Sequence, residues 1–303
     1  MRPEERAELV KLQNPKADIR RGAAEKLGEL RSRGAAPDLV KSATGDPDPS
    51  VRRAAVLALG AIGDRALVPD MAPVLKDGNE KVRGGAVQAL VDVYLDKDSG
   101  FYSSVKHVAV VATPFWNERQ TATVEPYDPV NPIATNGIAE LLKTDTSHDN
   151  RVAAVRALGA LRANDQIDGL ADAMGSDKKL QSDVLNSYVL IGDKSAARYA
   201  IPLFESTDAD VAAQAMFTAG RLKAEDAVTP LLTVYGSGGT KTGVVGAVKH
   251  PFSPNLRKAA LQSLALMGAP AANQAFLDNV YSSDTDMRRA AFEGLAREDD
   301  PKL

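Results

Sequence analysis

Apolar residues recur along this chain at helical spacing, in a frame that itself repeats. The segment 51–64, Val-Arg-Arg-Ala-Ala-Val-Leu-Ala-Leu-Gly-Ala-Ile-Gly-Asp, slides over the sequence without gaps so that its first position falls on Ile19, Val51, Val82, Asn150, Leu180, Val211, Leu256 and Met287. Successive spacings are 32, 31, 68, 30, 31, 45 and 31, so the unit is about 31 residues long and two intervals carry extra chain. Four residues after each anchor stands alanine in seven of eight copies, and eight after it mostly leucine. Positions 0, +4 and +8 thus form one apolar stripe of a helix, with small residues beside it that let neighbouring helices approach closely. Three residues before the anchors come Asp48, Asn79, Ser147, Asp177, Asp208, Ser253 and Asp284, types that accept from the unpaired N–H groups of a helix start; only Lys16 breaks the column. A second, weaker helical pattern lies between, as at 66–76 and 195–205, often with an early proline such as Pro37, Pro69, Pro132 or Pro230. Neither helix can bury its stripe without the next pair, so the pattern predicts an all-α solenoid running through 1–303 as a single domain.

Composition supports helices over sheets: 44% of residues are hydrophobic but only 5% aromatic, with alanine and leucine supplying most of the apolar content. The formal charge is −3, from 37 basic and 40 acidic side chains, so no global field draws the protein to nucleic acid or an anionic membrane, and neither is expected as a partner. Absence of cysteine excludes disulfides, cysteine-ligated zinc, iron–sulfur clusters and thiol catalysis, and leaves the compartment open. The start, Met1-Arg2-Pro3-Glu4-Glu5-Arg6, has no apolar core of a signal peptide, and no apolar run is long enough to span a bilayer. The expectation is cytoplasmic, or periplasmic or secreted if a leader has been removed.

The string at 46–64, Asp-Pro-Asp-x-x-Val-Arg-x-x-Ala-x-x-Ala-Leu-Gly-x-Ile-Gly-Asp in type, resembles the HEAT repeat, in the short form also found in phycobilisome-lyase-like proteins. The likeness extends through eight registers and about 250 of 303 residues. It implies a right-handed solenoid of about eight HEAT-type helix pairs with the Val-Arg helix as the inner member, 3–13 opening the array and 286–297 closing it. HEAT arrays serve many roles, so the resemblance fixes fold more than function. It implies a protein-binding scaffold, with a lyase-like or other enzyme-accessory role in bilin or cofactor handling as the alternative and nucleic-acid binding a more distant one.

Two insertions interrupt the period. The first, about 37 residues around 96–131, holds Phe101, Tyr102, Phe115, Trp116 and Tyr127, five of the chain's fifteen aromatics. Loops beyond about 15 residues within a compact fold tend to be functional or disordered, and this one is too aromatic for simple disorder. Its aromatics either grip a partner or pack on their own scaffold, and 105–112 with 120–125 form a candidate β-hairpin. The second, at 236–252, begins Gly-Ser-Gly-Gly-Thr-Lys-Thr-Gly but lacks the order of a P-loop and the strand that precedes one, so it reads as a flexible loop.

Catalytic and metal chemistry find little support. A HEAT-type di-iron hydroxylase holds its metal through His-Glu pairs, but His107, His148 and His250 are none of them followed by glutamate, and no Gly-x-Ser-x-Gly elbow occurs. No catalytic residue, metal or cofactor is assigned. Arginines recur at or just after the anchors, including Arg20, Arg52, Arg53, Arg83 and Arg151, and aspartates near them suggest a ladder of Asp–Arg pairs stitching adjacent turns. Residues two and six after each anchor should face out from the inner helices and line the concave face. Of these, Arg53, Leu57, Gln88, Arg156, Asn186, Phe217 and Gln262, together with Phe101, Tyr102, Phe115, Trp116 and Tyr127 of the insertion, are the candidate contacts for a protein or peptide partner.

Overall fold

The repeat register becomes a run of helix pairs in the computed structural model, which describes residues 1–95, 123–236 and 252–299. All regular structure among the described residues is helical. The chain forms two compact units. In the unit made by residues 1–95 and 123–191, five pairs follow one another: α1 Pro3–Lys11 and α2 Ala17–Glu29; α3 Ala36–Gly45 and α4 Pro49–Ile62; α5 Val68–Met71 and α6 Glu80–Asp92; α7 Pro132–Thr144 and α8 His148–Ala160; α9 Ile167–Ser176 and α10 Gln181–Ile191. The unit made by residues 192–236 and 252–299 holds three: α11 Ala197–Ala200 and α12 Ala209–Arg221; α13 Val228–Gly236 and α14 Pro254–Met267; α15 Asn273–Leu277 and α16 Thr285–Asp299. Within each unit the second helix of a pair packs on the second helix of the next, the arrangement of an α-solenoid.

Helix starts follow the cap column. Asp48 accepts from the Ser50 N–H, Asn79 from Lys81, Ser147 from Asn150, Asp208 from Asp210 and Val211, Ser253 from Leu256, and Asp284 from Asp286 and Met287. At Lys16, where no side chain caps, the Asn14 carboxamide two residues earlier accepts from the Lys16 N–H instead. Helix ends share a second column: twelve residues after the anchor the chain turns left-handed, at Gly63, Gly192 and Gly268 but also at Arg31, Arg162 and Lys223, with φ of 46°, 50° and 51° in the last three.

First helices depart from the expected single run. The stretches 66–76 and 195–205 are each a short α segment flanked by 3-10 turns, Arg65–Leu67 and Ala72–Lys76 around α5, Lys194–Ala196 and Ile201–Glu205 around α11. Pro73 and Pro202 explain this, since each removes an N–H from the interior of the run and its ring crowds the carbonyl four residues back.

Two columns hold successive second helices together. Nine residues after the anchor, Gly28, Gly60, Gly159 and Gly220 lie against the small residue seven after the next anchor, Ala58, Ala89, Ser187 and Ser263 respectively; a Cβ on any of these glycines would come within 2.9 Å of the neighbour's backbone. At that separation the Ser187 hydroxyl reaches across to donate to the Val155 carbonyl at 2.9 Å. One residue after the anchor, an arginine forks onto the aspartate that opens the next pair's turn. Arg20 grips Asp46 at 2.7 and 2.8 Å, Arg52 grips Asp77 at 2.6 and 2.9 Å, and Arg83 grips Asp145 through two 2.7 Å bonds. Arg151 continues the series to Asp177 at 3.0 Å. Each of the first three arginines also donates its remaining terminal nitrogen to carbonyls of its own preceding turn, so one guanidinium ties two turns together. The column five after the anchor is apolar and buried from Ala24 through Leu261, whereas Phe292 in α16 is 59% exposed, no further pair following it among the described residues.

Candidate functional site

The second helices of the first three pairs enclose a groove of about 890 Å³. Its walls come from the positions that face away from the first helices: Arg21 and Glu25 on α2, Arg53 and Leu57 on α4, Lys81 and Gly85 on α6. Small residues Ala54, Ala58 and Ala61 lie between them, so the floor is apolar and close to the backbone. Arg53 is exposed and Leu57 half-buried. The Arg53 side chain crosses α6 over Gly85: a Cβ there would meet its Cγ at 3.1 Å and its Nε at 3.7 Å. Lys81, one turn before Gly85 on the same face of α6, is also exposed.

Charges around the groove divide into paired and unpaired. Arg21 lies 3.3 Å from Asp18 and 3.8 Å from Glu25, and Lys26 lies 3.1 Å from Glu29. Behind them the ladder carboxylates are held ionised. At Asp77 the bonds from Arg52 lower the pKa against a desolvation cost. Burial alone would raise Asp46 and Asp145, but hydrogen bonds from Arg20 and the Asp48 N–H override it in the first. Those from Arg83, the Ser147 N–H and Asn150 bring Asp145 to about 2. Arg53 and Lys81 have no carboxylate within ion-pairing distance among the described residues.

Other expected contacts fall elsewhere. Gln88 is half-buried on α6 beyond the groove lining. Arg156 on α8 is not a free cation; it is committed to Asp183 at 2.8 Å, because that aspartate opens α10 three residues after its anchor and points back at α8. Asn186 on α10 is half-buried, as are Phe217 on α12 and Gln262 on α14 in the other unit. The Gln262 Nε2 is buried without a hydrogen-bond partner among the described residues. The structure therefore groups Arg53 and Leu57 and leaves the other candidates outside that groove. Phe101, Tyr102, Phe115 and Trp116 lie outside the described residues, as do the glycine-rich loop, His107, His250 and the candidate hairpin as far as residue 122.

Tyr127 is described and 96% exposed. It sits on a returning stem that the sequence pattern did not reveal. Thr123 to Glu125 is irregular chain, with Val124 buried and its N–H donating to the Ala160 carbonyl at 2.9 Å. Next to Tyr127, Asp128 takes both terminal nitrogens of Arg65, whose guanidinium lies 4.9 Å from the Tyr94 ring centroid, and the Tyr94 hydroxyl accepts from the Asn131 N–H at 2.9 Å. In the second unit, Lys194, Arg198, Lys223, Glu225 and Asp226 surround a depression of about 410 Å³ with charges of both signs. Among the described residues no cluster of three or more His, Asp or Glu could hold a metal ion, and no helix is long and apolar enough to cross a membrane.

Stacked pairs of this kind define an α-helical repeat protein. Residues 7–91 match the family model for HEAT repeats, and the pairs that follow keep the same cap and anchor columns. Among solved structures, YibA from Escherichia coli is similar at 14% identity with a TM-score of 0.52, covering 98% of this chain and 93% of that one. The complex of CpcE and CpcF of phycocyanin lyase from Nostoc aligns at 19% identity and a TM-score of 0.39 over 97% of this chain and 87% of that one. Human deoxyhypusine hydroxylase aligns at 17% identity and a TM-score of 0.31 over 97% and 84%. No curated protein sequence matches the chain.

Proposed function

We propose that this chain is a non-catalytic scaffold that binds a protein partner along the second helices of its first three pairs, the concave side by HEAT convention. One observation carries the proposal: the groove presents Arg53, Leu57 and Lys81 to solvent beside a floor of small residues, while its other charged side chains, Arg21, Glu25 and Glu29, are paired within α2. A half-buried leucine flanked by uncommitted cations offers both an apolar anchor and orienting charge. HEAT repeats commonly mediate protein interactions, which supports this reading. The aromatic insertion, with exposed Tyr127 at its stem, is proposed as a second contact.

A photo-crosslinking residue placed at Leu57 in the native cell should give discrete protein adducts, and one at exposed Lys41 on α3 should not. Equal labelling from both positions, or none from either, would remove the groove as the docking site. Deleting residues 100–122, which leaves Val124 and Asp128 in place, should weaken adduct formation at position 57; unchanged adducts would remove the insertion from the proposal.

A further inference from the structure

The groove separates two neighbouring arginines into different roles. Arg52 is locked in the ladder, its fork closed on Asp77 and its third nitrogen on the Asp46 carbonyl. Arg53, about 100° further round the helix, has no hydrogen bond or ion pair with any described residue, although the other anchor-proximal arginines of this unit, Arg20, Arg21, Arg83 and Arg151, all reach a carboxylate. Its course over α6 depends on Gly85, where an ordinary side chain would press on its stem, and glycine inside a helix costs about 1 kcal/mol relative to alanine. Lys81 lines the same groove from the turn before Gly85. Two like charges on one surface with no carboxylate between them are mutually destabilising until an anion joins them.

We infer that the groove takes an acidic segment of its protein partner, one that lays a carboxylate between Arg53 and Lys81 and an apolar side chain on Leu57. This rests on the proposal that the groove is a protein-docking site. One feature favours a peptide over nucleic acid: the floor of Ala54, Leu57, Ala58 and Ala61 is apolar, which suits an aliphatic side chain and offers nothing to a phosphate backbone.

Fluorescence anisotropy with the full chain tests it, using three labelled twelve-residue peptides that share leucine at every third position and carry glutamate, glutamine or lysine elsewhere, and a labelled single-stranded oligonucleotide. The glutamate peptide should bind about tenfold more tightly than the lysine peptide, the margin shrinking as salt is raised. The double variant Arg53→Glu, Lys81→Glu should reverse that order, with its melting temperature unchanged. If all three peptides bind alike and Leu57→Ser weakens each, the groove docks protein but the acidic preference is wrong. Equal or tighter binding of the oligonucleotide through Arg53 and Lys81 overturns the peptide reading, and failure of every probe to bind overturns the inference and the docking site together.

Discussion

Asp145 shows how much one side chain does in this fold. Its carboxylate is 1% exposed and accepts from Arg83, from the Ser147 N–H and from Asn150. Because its pKa in the folded chain, about 2, lies below the ordinary carboxylate value, it stabilises the fold in full above about pH 4 and progressively less as pH falls toward 2. Asp145→Asn should lower unfolding free energy at pH 7 by about 2 kcal/mol, and should flatten the decline between pH 4 and 2, both read by urea titration at a series of pH values. A second residue-scale expectation concerns the left-handed helix ends. Arg162 holds a conformation costing a side-chain-bearing residue about 1–2 kcal/mol, where three other repeats use glycine. Arg162→Gly should therefore stabilise by about 0.5–1 kcal/mol despite the greater freedom of glycine in the unfolded chain, and a loss of stability would mean that its side-chain contacts outweigh the backbone strain.

Between elements, spacing rather than apolar area sets the contact. Gly60 lies so near Ala89 that an added methyl group would sit 2.7 Å from its Cα, whereas Gly22, exposed in α2, has nothing within 4 Å of that position. Alanine is the better helix former by about 1 kcal/mol, so Gly22→Ala should raise the melting temperature. Gly60→Ala should lower it, by the equivalent of about 1–3 kcal/mol, because α4 and α6 must part to admit the methyl. Calorimetry that moved both variants in the same direction would refute the close approach of the two helices. The glycine column lapses at Val91, Val189, Ala265 and Ala296, and the arginine column at Gln181 and Ala212.

Across the whole molecule, what was legible in the sequence is what depends on local order. The period, the second helices and the caps all follow from residues within a few positions of each other, and Asp48, Asn79 and Ser147 act as their types require. The breaks in the first helices at Pro73 and Pro202 were not read, because the apolar spacing of 66–76 and 195–205 masks the interruption. The Arg65–Asp128 clasp joins positions 63 residues apart and leaves no periodic signal. The same holds for the groove. Arg53 and Leu57 follow from the outward phase of α4, while Lys81, one residue before its anchor, joins them only because α6 packs against α4. Nor does a pair of adjacent arginines announce which one the next repeat will claim, since that depends on where Asp77 arrives.

This division between Arg52 and Arg53 is the most direct test of a stack held by its arginine ladder and a groove left free beside it. Unfolding free energies of Arg52→Ala and Arg53→Ala, measured side by side by urea titration, should differ sharply. Removing Arg52 leaves Asp77, 10% exposed, without its partner and should cost about 1.5–3 kcal/mol, whereas removing Arg53 should change stability by no more than about 0.5 kcal/mol. Equal losses in the two variants would show that Arg53 belongs to the stack, and would contradict a groove held open for a partner.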